Sequence, residues 1–412
     1  MRYLLITGLL GVAAATVAVG ACSNTTHDHA NPLPSGDGGP TDPGPGGVLF
    51  AASGEVLALT GYTFPPAQPD DPAFVDGWNV KFTRLLTTID KITLSDNPDT
   101  VPGDPSQTGG VVAEVDGPWA VDLSHADPSN LAGKGGPGEQ AVPIASLTSQ
   151  NKVSGSPPFK TDGTRYAFGF DTVAATTGAK NVNIDAAGQA DYAFMVQNQC
   201  VVLYVGVASF RGDKTDPSCN PPDAGYDKWP DVVNFKLCFK SPTTYVNCQN
   251  PDNDPAAAFP NEEHQRGIAF KSNSSVIGQV TIHTDHPFWD SVLHDSPAHF
   301  DQFAARVVGQ GGDGGAPTVT LEDTKGVDYA AYTDSAGNKL SWRYCIDPPT
   351  DVHPKLTGPM AFDPQNVPHA TGGNPASGLR DYYDFSTYDQ STQGHLNSDG
   401  LCYVKRNYPS PN

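Results

Sequence analysis

Histidine and aspartate side chains are concentrated between Val276 and Val307, around the segment VTIHTDHPFW. Four of the eleven histidines lie there, interleaved with aspartates. Imidazole and carboxylate groups that converge on one point are what a divalent first-row transition metal requires. We therefore predict a copper or zinc site, with candidate ligands His283, Asp285, His286, His294, His299 and, from a preceding loop, His264.

A strand followed by a short helix would position these side chains. Alternation puts the apolar Val280 and Ile282 on one face of the strand and His283 on the other, and Asp285 follows on the face of the histidine. The segment Pro297–Val307 is predicted to form the short helix. The candidate ligands would thus gather where the strand ends.

Short apolar runs separated by Gly, Pro and Asn fill the chain from Val48 onward. The predicted strands are Gly54–Tyr62, Trp78–Ser95 with a bulge near Arg84–Thr88, a hairpin of Gly110–Asp116 and Pro118–Leu123, Arg165–Asp171, Val201–Phe210, Val232–Phe239 and Val276–His283. Val201–Phe210 is apolar on both faces and should be central, and Tyr192–Gln197 should be a short helix. This spacing predicts a mainly β fold: an antiparallel β-sandwich with long loops over residues 48–340, followed by a loop-rich, disulfide-tied extension over residues 341–412.

The first residues resemble a bacterial lipoprotein signal. A short apolar segment ends in small residues before Cys22, which would become the lipidated N-terminus after removal of residues 1–21. Residues 22–47 are rich in Gly, Pro, Asp and Ser and should form a disordered tether. The resemblance implies a protein anchored by lipid to the cell envelope; Ser23, in place of a retention aspartate, favours the outer membrane, on its periplasmic or surface face.

The formal net charge of −21 disfavours nucleic acid and anionic lipid as partners. Apart from Cys22, six cysteines remain, and an even number in an exported chain predicts disulfides. Sequence alone allows about fifteen pairings, of which the sequential one is our first guess. It would join Cys200 with Cys219, Cys238 with Cys248, and Cys345 with Cys402.

Two other functions stay open. The C-terminal part is rich in aromatic residues, which suit a cell-surface module that binds glycans or proteins while the histidines are structural. A hydrolase is the third reading, but the chain has no Gly-x-Ser-x-Gly, His-Glu-x-x-His or P-loop motif. The sequence therefore argues more against an enzyme than for one.

The segments RYAFGFD, DYAFMVQNQCVVLYVGVASF, VNFKLCFK and IGQVTIHTDHPFW occur in this order within residues 165–290. In that order they resemble the MbnP-like exported β-sandwich proteins, which are associated with copper handling beside a di-haem partner. The resemblance implies a β-sandwich and a redox or metallochaperone partner. The tryptophan-rich segment and the aromatic-His-Leu-Gly element of that family have no counterpart here, so no copper ligand is carried over to this chain.

Overall fold

The computed structural model describes residues 40–101, 103–148, 155–221, 225–253, 262–289, 297–310, 315–327, 343–346 and 381–406. All of them belong to one compact unit. The proposed signal sequence and the first part of the tether lie outside these ranges. Within them, no helix combines the length and the apolar character that crossing a membrane would require.

Strands predominate in the described residues. In chain order they are β1 (Val48–Ser53), β2 (Trp78–Ser95), β3 (Val111–Val115), β4 (Trp119–Asp122), β5 (Leu131–Ala132), β6 (Gln140–Leu147), β7 (Arg165–Thr172), β8 (Lys180–Asn181), β9 (Val202–Phe210), β10 (Val232–Phe239), β11 (Thr243–Val246), β12 (Ile268–Ala269), β13 (Val276–Ile282), β14 (Thr318–Thr320), β15 (Gly394–Leu396), β16 (Gly400–Leu401) and β17 (Tyr403–Arg406). The α-helices are α1 (Glu55–Thr60), α2 (Gly188–Asn198), α3 (Asp301–Ala304) and α4 (Tyr382–Gln390). Short 3₁₀ helices cover Tyr226–Lys228, His286–Phe288, Ala305–Val307 and Leu321–Thr324.

These strands form two sheets, and both contribute to the main hydrophobic core. The smaller sheet has the order β16-β15-β13-β1-β6-β5. The larger has the order β14-β10-β9-β2-β7-β11-β17, with β12 paired to β7, β3 and β4 paired to β2, and β8 paired to β4. Phe50 of β1 meets Phe168 of β7 across the core, with ring centroids 5.9 Å apart. Each such fully buried aromatic side chain stabilises the fold by about 1.5–3 kcal/mol relative to exposure.

The prediction of a mainly β, sandwich-like fold is confirmed. The long strand Trp78–Ser95 has its predicted bounds, and its register shifts between Phe82 and Arg84, at the start of the predicted bulge. The apolar strand β9 lies inside its sheet between β10 and β2. The prediction that the sheets are purely antiparallel is wrong: both are mixed, because β1 pairs with β13 and β10 pairs with β14 in parallel.

The prediction of a strand at Gly54–Tyr62 is wrong, because Glu55–Thr60 forms helix α1. The apolar residues just before it already supply strand β1. The Ser53 hydroxyl accepts the Glu55 N–H at 2.9 Å, which turns the chain out of the strand. The helix ends where the Gly61 N–H donates to Leu57 at 2.8 Å. Gly61 has φ 72, and a Cβ there would lie 2.3 Å from a backbone oxygen of β2, so glycine is required.

The predicted hairpin of Gly110–Asp116 and Pro118–Leu123 is also wrong. Strands β3 and β4 do not pair with each other; both pair antiparallel with consecutive stretches of β2. The Asp116-Gly117 step separates β3 from β4 along β2 and does not reverse the direction of the chain. The Gly117 N–H donates to the Asp90 carboxylate at 2.7 Å, so the side chain of β2 holds the interruption in place.

All six cysteines form disulfides, as predicted, but the sequential pairing is wrong. The bonds are Cys200–Cys238, Cys219–Cys345 and Cys248–Cys402. Strand register decides the first and the last. Val202 lies opposite Phe239 in the β9–β10 pair, and Val246 lies opposite Tyr403 in the β11–β17 pair, so cysteines at these strand ends meet across the sheet.

The C-terminal residues contribute to both sheets. Helix α4 is followed by β15 and β16, which extend the smaller sheet beside β13, and by β17, which pairs with β11 in the larger sheet. Most of the predicted extension before residue 381 lies outside the described ranges, so the boundary at residue 340 stays a prediction. At the other end, the Gly46 N–H donates to Lys271 O at 3.1 Å, so the last tether residues already contact the sheet domain.

Candidate metal centre

Two histidines meet on the outer face of the smaller sheet. In the β13–β15 pair, Thr281 lies opposite His395, and the backbone N–H of His283 donates to Gln393 O at 3.0 Å. Side chains alternate along a strand, so His283 and His395 project from the face opposite to that of the buried Ile282. Their ring centroids are 4.1 Å apart and the rings are nearly perpendicular.

His286 joins them from the short 3₁₀ turn that follows the strand. Its ring stacks on Trp289 with centroids 3.7 Å apart. Its Nδ1 lies 2.6 Å from the Thr392 hydroxyl, which itself donates to Asp389 O at 2.7 Å. Because that hydroxyl hydrogen is committed, Nδ1–H of His286 donates to Thr392, and Nε2 carries the lone pair of the neutral ring.

The hydrogen bond of His283 fixes its tautomer in the same way. Its Nε2 lies 3.2 Å from the carbonyl oxygen of Ser398, which can only accept. In the neutral ring, Nε2 therefore carries the hydrogen and Nδ1 the lone pair. A metal ligand whose second ring nitrogen is held by a hydrogen bond keeps a fixed orientation, which is the usual arrangement for histidine at metal sites.

The three histidines form a group that could hold a metal ion. One ring nitrogen from each of His283, His286 and His395 lies within 4.8 Å of the others. His286 and His395 are buried, and His283 is half-buried. Three imidazole ligands suit a divalent copper or zinc ion and leave a further coordination position for water or another ligand.

Two carboxylates also lie close to His283. Glu55 Oε1 is 3.6 Å from His283 Nε2, and donor atoms of Glu55, His283 and Asp399 all lie within 4.8 Å of one another. Glu55 has φ 62, a left-handed conformation uncommon for a residue with a side chain, and it aims the carboxylate at the histidine. Burial raises the pKa of Glu55 to about 7, against the lowering effect of His283 and with a further increase from Asp285.

The two sets overlap only in His283. Among the described residues, no group of four or five mutually close ligands occurs; the sets are His283 with His286 and His395, and His283 with Glu55 and Asp399. Neither carboxylate is therefore within reach of the whole three-histidine set. The arrangement is one nitrogen-only set and one mixed set that meet at a single imidazole.

The other predicted ligands do not join the three histidines. Asp285 accepts a hydrogen bond from Trp289 Nε1 at 3.2 Å, and it acts on the site through its charge. The His264 backbone N–H donates to Gln249 Oε1 at 2.9 Å, and its side chain belongs to neither set. His294 lies outside the described residues.

His299 belongs to a separate, fully buried polar network. Its Nδ1 is 3.8 Å from Asp76, whose carboxylate also accepts two backbone N–H groups at 2.7 Å. Burial, together with the neighbouring Asp301 carboxylate, raises the pKa of Asp76. Asp301 in turn accepts Trp78 Nε1 at 2.7 Å and forms a bidentate ion pair with Arg343. This network links α3 to β2 and residue 343.

Sequence reasoning missed Glu55, His395 and Asp399. Glu55 falls in the segment that the sequence predicts as a strand, whereas it begins helix α1, so local patterning does not indicate its place beside His283. His395 precedes the turn Asn397-Ser398 between Leu396 and Leu401, where both turn residues have positive φ. An Asn-containing turn between short apolar runs is a hairpin signal, and it could have indicated a histidine on a sheet edge.

The C-terminal aromatics that favoured a glycan-binding module are mostly interior where the structure describes them. Tyr344, Tyr382, Phe385 and Tyr388 are all buried, and Tyr383 is partly buried against the core. Tyr329, Tyr332 and Trp342 lie outside the described residues. The described members therefore pack the C-terminal segment against the sheets and do not form an exposed ridge.

Comparisons of this chain with protein-family models, with curated proteins and with solved structures found no match.

Proposed function

We propose that this chain is an exported, lipid-anchored protein that binds a divalent transition-metal ion, copper or zinc, through His283, His286 and His395. The convergence of three imidazole nitrogens within 4.8 Å carries this proposal. The proposal keeps two of the histidines that the sequence indicated and replaces the others by His395. Lipid attachment at Cys22 would place the domain at the cell envelope, most simply at the outer membrane.

The surroundings of the three histidines support metal binding over a purely structural role. Hydrogen bonds from Nδ1 of His286 and from Nε2 of His283 leave the opposite nitrogen of each ring as an electron-pair donor. The described cysteines are all in disulfides, so no thiolate competes for the ion among them. Nitrogen donors with nearby carboxylates suit copper(II) and zinc(II) better than calcium or magnesium.

The resemblance to the MbnP-like proteins makes copper the first metal to test. If copper is the ion, a redox protein or metallochaperone at the envelope would be the natural partner to supply or receive it. The acidic chain would favour a basic docking surface on that partner.

The test is a titration of chelator-treated protein with Cu(II) and with Zn(II), followed by elemental analysis after desalting. The protein carries no affinity tag, and His27 and His29 of the N-terminal segment are replaced by alanine in every sample, because HDH can bind metal weakly. We expect tight, saturable binding that is weakened by on the order of 100-fold or more in His395→Ala and His286→Ala.

His264→Ala is the matched control, since this half-buried histidine lies in neither ligand set, and it should bind metal like the parent. Unchanged metal affinity in His395→Ala, or only weak non-saturating metal binding by the parent protein, would contradict the proposal.

A further inference from the structure

His283 belongs to both ligand sets, and its two ring nitrogens differ: one carries a lone pair and the other a hydrogen. In the neutral ring Nδ1 carries the lone pair, and the proposal below assigns it to the three-histidine set. Nε2–H faces the carbonyl oxygen of Ser398 at 3.2 Å and the Glu55 carboxylate at 3.6 Å. The proton on Nε2 therefore occupies the side of the ring on which oxygen ligands gather.

The spacing on this side fits a cation in place of that proton. Two ligands that each lie about 2.1 Å from a tetrahedral ion are about 3.4 Å apart, close to the spacing between Glu55 and His283. Asp399, in the exposed part of the β15–β16 turn, completes a set whose donor atoms all lie within 4.8 Å of one another. One imidazole nitrogen and two carboxylates are a donor set that divalent zinc or copper accepts.

The charge around Glu55 also favours a second cation. The charged groups that act on it most strongly are His283, Asp285, Glu139 and Asp399, of which three are acidic. A cation bound here is attracted by these carboxylates, and their charge offsets its repulsion from a cation at the three histidines.

We propose that the chain binds two divalent transition-metal ions that share His283: one at His286 and His395, the other at Glu55 and Asp399. The shared ring becomes an imidazolate bridge. When the second ion binds, the Nε2–H bond of His283 breaks, its proton leaves to solvent, and the nitrogen electron pair forms the second metal bond. No electron is transferred, and the two metal ions keep their charge. This inference rests on the proposed metal-binding function and deepens it.

The test is Cu(II) titration with electron paramagnetic resonance, combined with elemental analysis of the desalted protein. We expect two copper ions per chain. At one equivalent the signal should be that of isolated Cu(II). It should fall as the second equivalent binds, because an imidazolate bridge couples the two unpaired spins antiferromagnetically.

The discriminating variant is Asp399→Asn, chosen because this side chain is exposed and its replacement leaves the core untouched. It should bind one copper ion with a persistent isolated signal, and adding Glu55→Gln should give the same result. His264→Ala is the control and should bind two ions.

Two bound ions in the parent protein that keep the full isolated Cu(II) signal would overturn the shared-histidine inference. One ion in the parent protein would overturn the shared-histidine inference and leave the three-histidine proposal intact, whereas no bound ion would overturn both. Two ions in both the Asp399→Asn variant and the double variant would show that the carboxylates are not ligands and would also overturn the inference.

Discussion

The half-buried carboxylate of Glu55 should make the stability of the metal-free protein depend on pH. Burial raises the pKa of Glu55 from its ordinary value of 4.5 to about 7. In the unfolded chain the group ionises near 4.5, so between these values the folded state binds more protons than the unfolded state. The stabilising contribution of Glu55 is therefore fully present below pH 4.5, and this contribution is lost as the pH rises through 7. The difference of about 2.5 pKa units corresponds to about 3 kcal/mol of unfolding free energy.

The measurement is urea unfolding between pH 4 and 8 in the presence of a chelator, for the parent protein and for Glu55→Gln. The parent should lose about 3 kcal/mol relative to the variant over this range. Glu114→Gln is the control, since its carboxylate lies in the edge strand β3, 3.7 Å from Lys91, with 31% of the side chain exposed. Parallel pH profiles for the parent and Glu55→Gln would refute the raised pKa of Glu55.

Three further predictions concern the supports of the site and of the fold. Thr392→Val removes the hydroxyl that holds Nδ1 of His286 and should weaken metal binding by about 10–100-fold in the same titration. Arg343→Leu leaves the buried charge of Asp301 without its partner and should lower the unfolding free energy by about 3–5 kcal/mol in urea. Cys402→Ser removes the disulfide that attaches the segment around β17 to Cys248, and it should lower the unfolding free energy by about 2–5 kcal/mol.

Controls separate these effects from general damage. Lys214→Ala removes an exposed ion pair with Asp231 and should change stability by about 0–1 kcal/mol. Thr60→Val, on the exposed side of α1, should leave metal affinity unchanged. Normal affinity in Thr392→Val would argue that the orientation of His286 does not depend on this hydrogen bond. A loss below 1 kcal/mol in Arg343→Leu would argue that the ion pair is not buried in solution.

Local sequence patterns were sufficient for much of the fold. Trp78–Ser95 and Val202–Phe210 could be predicted because apolar residues at a period of two, or on both faces, reflect burial directly. The same rule failed at Glu55–Thr60, because this apolar run is too short to distinguish the periodicity of a strand from that of a helix. It also could not show which strands are parallel, since side-chain alternation is the same in both cases.

The site was only half predictable for a related reason. His283 and His286 are close in sequence, so their clustering is visible to inspection. His395 lies beside them because β13 pairs with β15. That pairing joins residues far apart in sequence, so it cannot be predicted from the local sequence pattern. The disulfide pairs follow the same logic, because strand neighbours across a sheet are not neighbours along the chain.

The distance along the chain between the histidines sets an order of events during biosynthesis. Thr392, which orients His286, lies 106 positions after it, and His395 follows three residues later. A chain that crosses a membrane from its N-terminus exposes the first two histidines while the third is still in transit. If the chain is exported and binds metal as proposed, the three-histidine set is complete only after β15 has been delivered and has paired with β13, so metal would be acquired after export.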